Sequence, residues 1–149
     1  MNDIEIFTIG FTQKSARKFF ELLKGSKAKR IVDVRLNNVS QLAGFAKRDD
    51  LKYFAEQICG IEYVHSPQLA PTQDILDAYK KEGGDWSVYE TKFIDLMRQR
   101  KIEETVSKDL IDGGCLLCSE DKPHHCHRRL VANYLCEKWG GKITVSHLV

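Results

Sequence analysis

The feature that most restricts this chain is a rhythm. Short β-branched apolar runs, each closed by glycine or a polar residue, alternate with segments of helical spacing. Ile4 to Ile9 is nearly continuous and stops at Gly10, which suits a strand buried on both faces. Ala16, Phe19, Phe20 and Leu23 then recur at helical intervals until Gly25. Ile31 to Arg35 reads as a second strand; Leu51, Phe54, Ala55 and Ile58 as a helix ended by Gly60; and Ile61 to Val64 as a third strand. A helical stretch follows, broken near Gly83-Gly84, with Ile75, Leu76 and Tyr79 before the break and Tyr89, Phe93, Leu96 and Met97 after it. After the Gly113-Gly114 turn comes a fourth strand, Cys115 to Cys118. The last helix carries Leu130, Val131, Tyr134 and Leu135, Gly140-Gly141 closes it, and Ile143 to Val145 is a fifth strand. This alternation predicts an α/β fold: one domain over residues 1–149, with a mostly parallel sheet of about five strands and helices on both faces.

Bulk properties narrow the function classes. With 42% hydrophobic and 30% charged residues the composition is that of a globular protein, and no linker, repeat or low-complexity segment interrupts it. No apolar run approaches the roughly 18 residues of a membrane span. The acidic N-terminus enters a strand pattern at once, so no signal peptide and no membrane partner are expected, and the expected location is the cytoplasm. Five cysteines, with Cys59 and Cys136 in helix-like patterns, suit a reduced compartment. A net charge of +2, from 23 Lys+Arg against 21 Asp+Glu, neither favours nor excludes nucleic acid, so any anion site has to be local.

Parallel strands open their C-terminal ends onto one edge, where ligands of open α/β sheets sit. The predicted strand ends deliver Gly10 and Thr12; Asp33 and Arg35 followed by Asn37, Asn38 and Ser40; His65; Cys118 and Glu120; and Ser146 and His147. The polar loop from Leu36 to Lys47 is long enough to suggest function. The segment Cys118 to Arg129 is the sharpest signal. Pro123 favours a turn, and Cys126-His127-Arg128 would form the first turn of the last helix, whose free N–H groups attract anions and activate a thiol. An arginine there suits phosphate or carboxylate. The plainer alternative makes Cys126 a small buried hydrophobe and Arg128 a surface charge. Asp33 and Arg35, two apart on a strand, share a face; they either pair with each other or form a base and ligand clamp. Trp86, Tyr89 and Phe93 read as core rather than as a stacking platform.

Cys115 and Cys118 have CxxC spacing, yet positions three apart on a strand point to opposite faces, so the pair is read as accidental. Cys118 and Cys126 with His127 or His147 form a geometric alternative, but their spacing matches no structural zinc motif, and no metal is expected.

The ordered set Thr8-Ile9-Gly10, Asp33-Val34-Arg35, Ser40, Gly44-Phe45, Gly60-Ile61-Glu62-Tyr63, Leu116-Leu117-Cys118-Ser119-Glu120, Pro123, Cys126-His127-Arg128, Ala132 and His147-Leu148 resembles the family known as domain of unknown function 488, nearly end to end. The resemblance implies a Rossmann-like α/β domain and marks Asp33, Arg35, Cys118, Glu120, Cys126, His127 and Arg128 as motif positions. Two positions depart from the family pattern: Phe11 stands where His or Tyr often follows Thr-Ile-Gly, and Asn38 stands where Pro is common. The family carries no established activity.

The expectation is therefore an enzyme, a hydrolase or transferase, acting on a phosphate-bearing or otherwise anionic substrate such as a nucleotide or nucleic acid. Asp33, Cys118, Glu120, Cys126 and His127 would be catalytic, with His127 activating a cysteine nucleophile and a carboxylate handling protons. Gly10, Thr12, Arg35, Asn38, Ser40, Arg128 and His147 would bind the substrate. The alternatives are a non-catalytic nucleotide- or nucleic-acid-binding module and a thiol-based redox or metal protein. The sequence specifies neither a cofactor nor an oligomeric state.

Overall fold

Burial explains the strand patterns. A computed structural model describes residues 3–37, 44–81, 85–118, 126–140 and 142–149. Its five strands are β1 (Ile4–Gly10), β2 (Arg30–Asp33), β3 (Glu62–His65), β4 (Gly114–Cys118) and β5 (Ile143–Leu148). They form one parallel sheet in the order β3-β2-β4-β1-β5. The unbroken apolar runs belong to inner strands: every residue of β4 is buried, as is all of β1 except Glu5. The edge strands β3 and β5 are partly exposed along their length.

Helices cover both faces. On one, α1 (Ala16–Gly25) and α2 (Arg48–Phe54) lay Phe19, Phe20, Leu23 and Leu51 against Phe7, Ile9, Ile31 and Leu117. On the other, α4 (Trp86–Arg100) and α7 (His127–Trp139) bring Phe93, Met97, Val131 and Leu135 against Ile6, Val32, Val34 and Leu116. Cys115 joins the first core and Cys118 the second, so the CxxC thiols do point to opposite faces.

This arrangement sets up the site. Both β1 and β2 hand the chain to helices on the first face, whereas β4, lying between them, hands it to α7 on the second. Adjacent chains thus leave the C-terminal ends in opposite directions on both sides of β4, the position at which open α/β sheets form their ligand crevice.

The boundaries differ from the sequence pattern in four places. First, β2 ends at Asp33; Val34 N–H still donates to Leu117 O (3.1 Å), but Arg35 has left the ladder. Second, β5 continues through Ser146 and His147 because β1 offers partners as far as Ile9, so these residues lie within the strand and not beyond it. Third, α2 runs into a π-helical turn, Ala55–Cys59, closed by Gly60 at φ 66°. Fourth, the stretch before β4 holds α3 (Gln73–Lys81) and two short helices, α5 (Ile102–Thr105) and α6 (Lys108–Ile111), besides α4. Among the described residues no helix is long and apolar enough to cross a membrane.

Gly113, in the turn just before β4, has φ 77°, its N–H bonded to Glu5 O and its C=O to Lys29 N, both at 2.7 Å. A Cβ here would also sit 2.9 Å from Lys29 Cδ. Gly113→Ala is expected to cost about 1–2 kcal/mol, the strain of a left-handed residue with a side chain. Gly25→Ala, where a Cβ meets nothing within 4 Å and φ is not positive, is expected to be neutral or stabilising by up to about 1 kcal/mol. Urea denaturation of both variants checks this contrast.

Candidate functional site

Where β2 stops, two charged side chains turn inward. Asp33 and Arg35 are both buried and pair bidentately: Arg35 Nε–H donates to Asp33 Oδ1 and Nη2–H to Oδ2, each at 2.8 Å. The Arg35 backbone N–H adds a bond to Oδ1 at 3.1 Å, and the Tyr63 hydroxyl donates to Oδ2. The guanidinium lies over the Phe11 ring, 5.3 Å from its centroid. Its Nη1 is buried and has no hydrogen-bond partner among the described residues.

Two histidines hold the backbone beside this pair. His65 Nε2–H donates to Arg35 O (2.8 Å), and His127 Nε2–H donates to Val34 O (2.6 Å). A carbonyl can only accept, so in each neutral ring the lone pair remains on Nδ1. Burial, reinforced by the Arg128 charge, pulls the His127 pKa down to about 4, against the opposing pull of the Val34 bond and Asp33. His127 is therefore neutral and only a weak proton acceptor near pH 7, a poor fit to the activating base that the sequence reading assigned to it.

Across the crevice, Cys118 ends β4 and Cys126 is the N-cap residue of α7. Both are buried, and their sulfurs lie in disulfide contact, with Cα atoms 7.3 Å apart. Cys59 and Cys136, on which the expectation of a reduced compartment rested, are free, as is Cys115. Arg128 is fully buried instead of being a surface charge, and its Nη1–H donates to Cys118 Sγ at 3.5 Å. One donor atom each from Cys118, Cys126 and His127 falls within 4.8 Å of the others, a grouping able to hold a metal ion where the sequence led us to expect none.

A family model, domain of unknown function DUF488, matches residues 15–135. The chain belongs to this family. No curated protein and no solved structure matches the chain. The DUF488 match takes in Asp33, Arg35, Cys118, Cys126, His127 and Arg128, but leaves out β1 and β5.

The remaining predicted residues divide. Gly10 pairs in register with Cys118, at the crevice itself. Thr12 is exposed in the loop beyond β1. His147 sits inside β5, in register with Thr8, and its Nδ1 shares a 2.6 Å hydrogen bond with Thr8 Oγ1. Asn38, Ser40 and Glu120 fall outside the described residues. Two polar groups escaped the sequence reading. Thr8 is buried within an apolar run, and Tyr63 stands opposite Ile31 on β3, two positions short of Asp33's partner. A buried threonine in an inner strand was the available signal for the first; the second needed the β2–β3 register.

Arg35→Ala would remove the guanidinium that faces the buried Asp33 carboxylate. It is expected to destabilise the fold by about 3–5 kcal/mol, whereas the double change Asp33→Asn/Arg35→Met should recover most of that loss; denaturant titration compares them. His147 is held below its ordinary pKa by burial, and by the Arg128 and Arg129 charges. Protonation then favours the unfolded chain, so this group's contribution to stability is full above about pH 6.5 and is lost as pH falls. Imidazole NMR should find His147 titrating below about 6.5 in the folded protein.

Proposed function

We propose that the chain is an enzyme that binds a small phosphate-bearing or otherwise anionic substrate in the crevice above β4 and acts on it with cysteine chemistry. The observation that carries this reading is Arg35 Nη1. A buried guanidinium N–H without a partner costs roughly 1–3 kcal/mol, more for a charged group, and an oxyanion would satisfy it. The Asp33 fork fixes the direction of that N–H, so little ordering is needed on binding. The position outside the carboxyl ends of the strands, beside the start of α7, is also the one expected for a ligand of a Rossmann-like sheet.

Burial favours a small ligand over a nucleic-acid duplex, whose backbone charges need an exposed basic surface. Once their disulfide contact is reduced, Cys118 and Cys126 supply a reactive sulfur at this edge, which favours an enzyme over a bare binding module.

Calorimetry and thermal shift with inorganic phosphate, pyrophosphate and nucleoside mono- and diphosphates test the reading. At least one should raise Tm in proportion to RT ln(1 + [L]/Kd), and Asp33→Asn/Arg35→Met should lose that response while remaining folded. An equal response in the double variant, or none in wild type, would remove the anion site. Cys118→Ser and Cys126→Ser should keep binding and lose turnover of the bound compound. Retained turnover in both would leave the binding-module reading in its place.

A further inference from the structure

The three donors gathered between the end of β4 and the start of α7 are more specific than a reactive cysteine requires. We propose that, with its thiols reduced, the chain binds one thiophilic divalent ion of the zinc class through Cys118 Sγ, Cys126 Sγ and a ring nitrogen of His127. This deepens the reading above by naming the reactive centre, and it rests on this edge being the site.

Four observations converge. The three donor atoms lie within 4.8 Å of one another, although Cys118 comes from β4 and the other two from the start of α7. The donor set, two sulfurs and an imidazole, is the soft to borderline kind that selects zinc over magnesium or calcium. His127 Nε2–H is anchored on Val34 O at 2.6 Å, which leaves the lone pair on Nδ1 and fixes the ring; ligating histidines are ordinarily held in this way through their other nitrogen. Arg128 Nη1–H reaches Cys118 Sγ at 3.5 Å, an outer hydrogen bond to a ligating sulfur that also offsets thiolate charge.

The Cα separation of the cysteines adds to this. At 7.3 Å it exceeds the 4.4–6.8 Å usual for disulfides, whereas two thiolates on a shared ion need their sulfurs only roughly 3.8 Å apart for Zn–S bonds of about 2.3 Å. Side-chain rotation from the present contact supplies that spacing. Three protein ligands leave a tetrahedral ion one position for water or substrate, the arrangement of catalytic zinc sites.

The test uses the full chain, reduced and freed of metal under anaerobic conditions, then titrated with Zn²⁺ or Co²⁺. We expect one equivalent per chain by elemental analysis and native mass spectrometry, with thiolate-to-cobalt charge-transfer absorption for the Co²⁺ form. Cys118→Ser, Cys126→Ser and His127→Asn should each weaken binding by more than the roughly 10–100-fold that loss of an outer-shell partner produces. Cys59→Ser and Cys136→Ser should bind as wild type. Circular dichroism shows which variants are folded, and His127→Asn keeps the proposal testable if a cysteine variant fails to fold.

No stoichiometric ion on the folded, reduced wild type overturns the proposal, as does binding that survives loss of both Cys118 and Cys126. Asp33→Asn/Arg35→Met should retain the ion. A wild type that binds the ion but shows no anion response therefore refutes the substrate site and not the metal site, and a wild type that responds to anions but binds no ion refutes the metal site alone.

Discussion

A carboxylate and a guanidinium can both be buried at the end of a β-strand only if each finds nearly all its partners at once. Asp33 and Arg35 supply most of each other's, Tyr63, Phe11 and the Arg35 backbone amide add to the shell, and Arg35 Nη1 alone of the pair's forked atoms is left over among the described residues. The pair also determines where β2 stops. Once Arg35 has turned back onto Asp33 its backbone no longer follows the ladder, and its carbonyl, with that of Val34, faces imidazole donors instead of a neighbouring strand. His65 comes from the strand beside β2, while His127 comes from a helix 93 residues further along the chain. The end of β2 is thus where the two faces of the molecule are fastened together.

That fastening matters because of strand order. With β4 inserted between β2 and β1, the chain leaves the three inner strands toward alternating faces, and the buried polar groups gather at the ends in between. Cys118 is the last residue of the middle strand, and its register partner Gly10 brings no side chain of its own to that position. Arg128 reaches the same sulfur from within α7, and Cys126 reaches it from the helix's N-cap. Four structural origins, β1, β2, β4 and α7, therefore meet around one sulfur and one imidazole.

Much of this was legible in the sequence because the signals were local. Strand and helix alternation is a matter of periodicity, and the start of α7 at Cys126-His127-Arg128 follows from a turn signal and a helical pattern. The opposed faces of Cys115 and Cys118 follow from the two-residue repeat of a strand. What was not legible depends on register between distant segments. Nothing near Tyr63 says that its hydroxyl reaches Asp33, because that contact exists only once Ile31 lies opposite Tyr63. The true end of β5 depends on the length of β1, so His147 looked like a loop residue although it pairs with Thr8. For Arg128 the choice between a ligand contact and a surface charge stayed open, because helical spacing gives its direction but not the depth of what it faces.

The same reasoning separates two roles that the sequence had merged. Acid, base, thiol and arginine on one rim suggested a single mixed catalytic cluster. In the fold they form two sets joined through the Val34 carbonyl. On the β2–β3 side, Asp33 is committed to Arg35 and Tyr63, which makes it a holder of the guanidinium more than a carrier of protons. On the β4–α7 side, His127 is kept neutral by burial and committed through one nitrogen, which suits it to donate a lone pair and not to exchange protons near pH 7. A rigid guanidinium on one side and a cluster of electron-pair donors on the other are what the proposed division between binding charge and doing chemistry rests on. The short segment Val34-Arg35 keeps the two in a fixed relation.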